Sequence, residues 1–220
     1  MGTKSKSIAL IIVAFFLTSL VILPPVTVKA QSKTIVVPDS YPTIALAIEN
    51  ASNGDTILVK NGTYVENALN INKSLSIIGE GYQPTIVYLT SLSHEIVIDV
   101  LGHTATFYDP AMTVNANDFV LSGLTIKSNG GDISLNGNDI QVTSNKIETT
   151  FSMSGANLYV AGNIFSKVGF SANYSRIANN TITGGIGLSG EYTIFSSNSI
   201  TNEAPTSASH FNAVRVVNPS

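Results

Sequence analysis

The side chains able to do chemistry are few and regularly placed. Asp118 and Asp139 stand six positions ahead of a recurring mark in the sequence, Leu124 and Asn145, and Arg176 stands four ahead of the equivalent Asn180. Two carboxylates beside a guanidinium are the kind of group a polysaccharide-modifying reaction needs: an acid, a base, and a cation to neutralise a uronate carboxylate. Close together, the carboxylates repel unless Ca2+ or solvent relieves them. The same two offsets carry Tyr174 and Tyr192, and Gln141 and Tyr159. Tyr159, Tyr174 and Tyr192 beside Gln141 and Arg176 make a set suited to stacking on sugar rings and bonding their hydroxyls, or to meeting a protein partner.

A second ionisable stretch runs through His94, Glu95, Asp99 and His103 to Asp109. Glu95 and Asp99 share one face of a strand but stand about 13 Å apart by strand rise, too far to hold one ion unaided. This reads as histidines flanking an edge strand and turn, so no metal is expected from it. With no cysteine in the chain, and Met153 expected inward, a copper site is disfavoured as well.

What must position these groups is a repeat. Asn145, Asn163, Asn180 and Asn198 recur at intervals of 18, 17 and 18, each followed two positions later by an apolar residue, Ile147, Phe165, Ile182 and Ile200. Before each mark lie inward pairs at a spacing of two, such as Phe119 and Leu121 or Ile140 and Val142, which is strand periodicity. A further pair follows in each unit: Ile133 and Leu135, Phe151 and Met153, Val168 and Phe170, Ile186 and Leu188. Two or three short strands per unit, repeated near 20 residues, predict a coil whose turns stack about 4.8 Å apart as parallel strands. The asparagines then form a hydrogen-bonded ladder, and asparagine tolerates the left-handed backbone of a sharp corner. No six-residue beat is present, so the coil is expected to be right-handed.

Residues 1–30 read as an export signal: Lys4 and Lys6, a largely apolar run from Ile8 to Leu23, then Val28-Lys29-Ala30 as a cleavage site. Retained, the segment would be a membrane anchor. It holds three of the 11 Lys and Arg and none of the 14 Asp and Glu, so residues 31–220 carry 8 − 14 = −6. An acidic body without a basic cluster excludes nucleic acid as a partner. Five glycosylation sequons stand at Asn50, Asn61, Asn72, Asn173 and Asn179. Ile44, Leu46 or Ala47, Ile48 and Ala51 follow a helical rhythm, with Asp39 or Ser40 as the start signal and Pro42 in the first turn. Such a helix would cover the open end of the coil, where unpaired strand edges invite association.

The runs TIVVPDSYPTIALAIENA, GDTILVKNGTYVEN and INKSLSIIGEG resemble the opening of right-handed parallel β-helix proteins of the pectin lyase-like superfamily. That superfamily includes pectin methylesterases and the non-catalytic β-helix repeat proteins of prokaryotic envelopes, and the likeness is nearer to the latter. The resemblance implies the fold rather than an activity. The QDTL-like, DFIFG-like and GRPW-like segments of pectin methylesterases are missing; Asp118-Phe119-Val120-Leu121 comes nearest, and strand alternation already explains it. Lyases of the superfamily are implied to work with Ca2+ on the outside of the sheet to which Ile133, Phe151, Val168 and Ile186 correspond. Outward positions there are Ser134, Ser152, Gly169 and Gly187, none an acid or a base.

The expectation is therefore an all-β, single-stranded right-handed parallel β-helix of about seven rungs over residues 31–220, with a short N-terminal capping helix. The expected function is a secreted or cell-surface protein without catalytic activity or cofactor, offering an extended surface to a polysaccharide, a cell-surface glycan or a protein. The alternative is a polysaccharide-modifying enzyme, pectate lyase-like or glycoside hydrolase-like, using Asp118, Asp139 and Arg176. The alternating strand that closes the sequence leaves end-to-end self-association open.

Overall fold

The computed structural model of the chain describes residues 31–97, 104–201 and 207–217. The expected export segment lies outside them. From Thr34 onward the chain winds as a right-handed parallel β-solenoid of about eight turns, with one short helix near its start. The first face stacks Thr34–Val37, Thr56–Val59, Ser76–Gly79, Val120–Ser122, Gln141–Thr143, Tyr159–Ala161 and Arg176–Ala178. Across a sharp corner, the second face stacks Gly62–Asn67, Thr85–Thr90 and Thr125–Ser128 on the opening residues of Lys146–Ala156 and Ile164–Asn173, then on Thr181–Ile182 and Ser199–Ile200. The third face begins with Leu69–Ile71, Met112–Asn115 and Ile133–Asn136 and continues in the later parts of the long strands. All these pairings are parallel. Between the second and third faces of one turn, Ser93–Val97 and Thr104–Tyr108 pair as an antiparallel hairpin instead of the expected single edge strand.

Alternation at a spacing of two puts one apolar side chain in each pair of strand positions inside. Phe119, Leu121, Ile140, Val142, Ile147, Phe151 and Phe165 are all fully buried. Phe151 stacks on Phe165 with centroids 5.2 Å apart, and Phe170 meets Phe165 edge-on at 6.1 Å. Met153 points inward as expected. Ile200 does not: it is exposed, on a second-face strand that among the described residues pairs only with Thr181–Ile182.

The corner between the first and second faces holds the asparagine ladder. Asn145, Asn163 and Asn180 are buried, and each donates its backbone N–H and its amide N–H to the side-chain oxygen of the next asparagine along. The pairs of distances are 2.9 and 3.1 Å to Asn163, 3.0 and 2.9 Å to Asn180, and 2.9 and 2.9 Å to Asn198. Leu124 N–H begins the series by donating to Asn145 Oδ1 at 3.0 Å. Each amide also donates to main-chain carbonyls at the corner, as Asn163 Nδ2 does to Val142 O and Ala161 O. The left-handed backbone expected of the asparagines belongs to the residue before each, Ser144, Gly162, Asn179 and Ser197, and to Gly123 before Leu124, with φ between 54° and 72°. A side chain at Gly123 would also collide with Gly79 O, at 2.5 Å.

The helix, α1 (Ile44–Asn50), starts later than the sequence suggests. Thr43 is its N-cap, accepting from Leu46 N–H, so neither Asp39 nor Ser40 starts it and Pro42 lies outside. Two charges from the first full turn hold its ends. The buried Glu66 carboxylate accepts Ile44 N–H at 2.6 Å and Ala45 N–H at 3.2 Å. Lys73 Nζ donates to Ile48, Glu49 and Ala51 carbonyls at 2.8 to 3.0 Å. An anion at the start and a cation at the end match the helix dipole, and both satisfy groups a short helix leaves open. Asp55 secures the adjoining strand by accepting Lys33 N–H at 2.9 Å and Ser52 N–H at 2.7 Å.

Replacing Asn163 by Leu takes the acceptor from Asn145 N–H and Nδ2 and removes the amide bonds to Val142 O and Ala161 O inside the coil, so stability should fall by about 2–4 kcal/mol, read as a lower denaturation midpoint. Asp55 gives a pH prediction. The Lys33 N–H bond first, then that from Ser52, holds its carboxyl below 3.8 in the folded chain. Its contribution is complete above that value and is lost as pH falls through the lowered one. Thermal midpoints of Asp55→Asn should lie below wild type at pH 7 and decline less steeply in acid; equal acid slopes would show that Asp55 does not set the acid limb.

Candidate functional site

Asp118, Asp139, Asn157, Tyr174 and Tyr192 form a column, the first four between strands and Tyr192 within Ile186–Ser196. They occupy the corner between the third and first faces, all left-handed, with φ from 51° to 59°. That backbone costs about 1–2 kcal/mol in a residue other than glycine, least for Asp and Asn. Asp139 Oδ1 accepts Asn157 Nδ2 at 3.2 Å, so its carboxylate is tied to the next turn of the column rather than to Arg176. Arg176 stands on the first face, two turns beyond the Asp139 turn, in register with Tyr159 and Ile194. Asp118, Asp139 and Arg176 are therefore not gathered round one point. Two carboxylates in a column also fall short of the roughly six to eight oxygen ligands Ca2+ takes, so no step through Ca2+ is derived.

The tyrosines divide in the same way. Tyr174 and Tyr192 stack at the corner with centroids 5.1 Å apart and planes 9° from parallel. Tyr159 lies on the flat first face between Gln141 and Arg176 and makes no ring contact with either. Elsewhere, His94 and Glu95 sit in the hairpin opposite Phe107 and Thr106, while Asp99 and His103 lie outside the described residues. Among the described residues no three His, Cys, Asp or Glu come together.

On the third face the expected strip is assembled, with Ser134, Ser152, Gly169 and Gly187 in register. Beside it, Ser154 Oγ donates to Asn136 Oδ1 at 2.6 Å, and Asn136 Nδ2 donates to Asn115 Oδ1 at 3.2 Å. These groups border a shallow groove of about 350 Å3 that holds hydroxyls and amides but no acid or base.

The groove with ionisable chemistry is on the second face, and it did not emerge from the sequence. Tyr82, Gln83, Ile86, Thr125, Lys127, Lys146, Glu148 and Ile164 enclose about 400 Å3 there. Glu148 accepts from Lys146 at 2.5 Å through Oε1 and from Lys127 at 3.0 Å through Oε2. The Lys146 bond first, then that from Lys127, hold the Glu148 carboxyl below its ordinary 4.5. Strand pairing explains why the three meet: Thr125 is opposite Lys146 and Ile126 opposite Ile147, which brings Lys127 alongside Glu148. Directly after Ile147 the register to the next turn slips, since Ile147 faces Phe165 but Thr150 faces Lys167. A bulge of this kind re-aims side chains and is common next to sites. Its trace is in the sequence: six positions separate Asn145 from Phe151 but only five separate Asn163 from Val168.

No protein-family model matches the chain, and no curated protein matches its sequence. Solved structures do match. A pectin methylesterase in complex with a hexasaccharide superposes with a TM-score of 0.53 at 16% identity, over 77% of this chain and 65% of that one. The chain thus spans just under two thirds of that enzyme's length. Pectin methylesterase PemA from Erwinia chrysanthemi follows at TM-score 0.42 and 14% identity, over 79% of this chain and 67% of that one. The Aspergillus niger pectin methylesterase gives 0.44 and 14%, over 84% and 92%. At such identities the likeness is one of fold.

Two expectations are corrected by these matches. The chain was expected to lie nearest the non-catalytic envelope repeat proteins, and the matched structures are enzymes instead. The reading as a protein without catalytic activity falls with it, because the comparisons favour the enzymatic alternative.

The charge environment of the groove can be tested directly. With Lys127 and Lys146 both changed to Met, the Glu148 carboxyl should titrate closer to 4.5 than in wild type when followed by carbon NMR. An unchanged midpoint would mean that the lysines do not set it.

Proposed function

We propose that the protein is an exported polysaccharide-modifying enzyme that hydrolyses an ester on an acidic polymer, in the second-face groove. Residues 1–30 would be removed on export to the cell surface or medium. The observation that carries this reading is the ionised Glu148 carboxylate held between two ammonium groups in a concave site. One carboxylate with two cations suits ester hydrolysis better than glycoside cleavage, which needs a pair of carboxyl groups flanking the bond. The similar folds of pectin methylesterases support this choice of substrate class, although their catalytic segments have no counterpart here.

In this reading Glu148 takes a proton from water as the oxygen adds to the ester carbonyl. Lys127 and Lys146 face the oxyanion that forms, and the alcohol leaves with the proton, giving a carboxylate and a free alcohol. Substrate binding assists the base: as the ammonium groups turn to the carbonyl oxygen, Glu148 loses the bonds that depress its pKa and becomes more basic. Tyr82 and Gln83 line the same groove and would orient the sugar.

The residue 31–220 protein should release methanol from methyl-esterified polygalacturonate, and Glu148→Gln should reduce that rate by about 10²–10⁴-fold with an unchanged melting temperature. A pectin, alginate and glucan panel yielding no alcohol, unsaturated ends or reducing ends would refute the enzymatic reading. Full activity in Glu148→Gln would refute the site.

A further inference from the structure

The corner column holding Asp118, Asp139 and Asn157 changes character in its last two turns. From Asp118 onward each described turn places a left-handed residue at the third-to-first-face corner, and the first three of these are Asp and Asn, the side chains that tolerate it best. At Tyr174 and Tyr192, φ remains 51° and 53°, a backbone that bulky side chains rarely adopt. Nor does the core gain from them, for the two residues are 63% and 59% exposed. Among the described residues neither phenol oxygen makes a hydrogen bond, and the two rings stack on each other. An aromatic pair kept in a strained backbone and left in solvent contributes little to the fold that Asn would not supply better. The reason for tyrosine therefore lies outside the fold.

We infer that Tyr174 and Tyr192 form a carbohydrate-binding platform, separate from the second-face groove, which takes the apolar C–H face of a pyranose ring in a glycan chain. Parallel rings at 5.1 Å give a rigid apolar surface whose orientation is already fixed before a ligand arrives, so little side-chain entropy is lost on binding. Polar groups stand in the right places for a sugar rather than for an apolar protein surface. Asn157 is the next member of the column, and Arg176 and Gln141 project from the adjoining first face on either side of Tyr159. None of Arg176, Gln141 and Tyr159 has an ion pair or side-chain hydrogen bond among the described residues, so their donors are free for hydroxyls or a uronate carboxylate. Aromatic faces edged with unengaged donors fit a glycan, whereas a protein interface of this size would want a larger apolar area.

The test uses Tyr174→Asn with Tyr192→Asn in the residue 31–220 protein, because Asn already occupies this corner at position 157. Binding of polygalacturonate and of a neutral β-glucan is followed by titration calorimetry, alongside thermal denaturation. The expected result is binding of at least one polymer, weakened tenfold or more in the double variant, with a melting temperature equal to or above wild type. Tyr159→Ala should weaken the same binding, and methanol release from a short methyl-esterified oligosaccharide should be unaffected by any of these changes. Three results would overturn the inference: no binding of either polymer by the wild type, undiminished binding by the double variant, or a melting temperature lowered by the Asn substitutions. The last would make the pair a structural element, and failure of any of the three leaves the Glu148 reading untouched.

Discussion

The fold depends on how its sharp corner is closed. A solenoid must turn its backbone through a tight angle about once every twenty residues, and each such turn leaves main-chain N–H and C=O groups facing inward with no strand partner. The buried amides of Asn145, Asn163 and Asn180 satisfy those groups, because a primary amide both donates and accepts along the stack. A buried carboxylate could not donate, and an aliphatic side chain could do neither. The residue just before each amide takes the left-handed conformation, so the corner is a two-residue device: one supplies the backbone angle and the other the hydrogen bonds.

That division of labour frees the rest of each turn. Inward strand positions need only be apolar and of suitable size, which is why Phe, Ile, Leu, Val and Met interchange between turns. Outward positions are almost unconstrained by the fold. A solenoid can therefore carry very different chemistry on its three faces: a hydroxyl and amide strip on the third, an ion cluster on the second, and an aromatic pair at the corner between the third and the first. The starting end is handled separately, with the Glu66 carboxylate and the Lys73 ammonium holding α1 against the first turns.

The ion cluster lies beside a small irregularity in the coil. In a perfectly regular coil, residues after Ile147 would continue in register with the next turn, as Ile147 does with Phe165. One extra residue before Thr150 breaks that continuity beside Glu148, where two lysines converge on its carboxylate. Lys146 shares a strand face with Glu148, and stacking adds Lys127 from the neighbouring turn to the same carboxylate. Glu148 thus lies between two ammonium groups in a concave groove, whereas Asp118 and Asp139 lie exposed at a corner.

Much of this was determined by the amino-acid order alone. The asparagine spacing, the two-residue alternation and the small-residue third face required only local periodicity, and they specify the parallel coil, its inward side chains and its capping helix. Positions near corners were less legible: Asp118, Asp139, Tyr174 and Tyr192 have the spacing of a strand strip yet form a left-handed column, because a periodic offset does not reveal where the backbone bends. The ladder shows the same limit, since its left-handed residue is the neighbour of Asn and not Asn itself. What only the tertiary structure decided is which outward side chains meet. Lys127 meets Lys146 and Glu148 across two stacked turns, and the tyrosines separate into a corner pair and a lone Tyr159. The physical reason is that core positions are fixed by burial, which the sequence displays directly, whereas surface contacts depend on register and corner angles that emerge only when the turns stack.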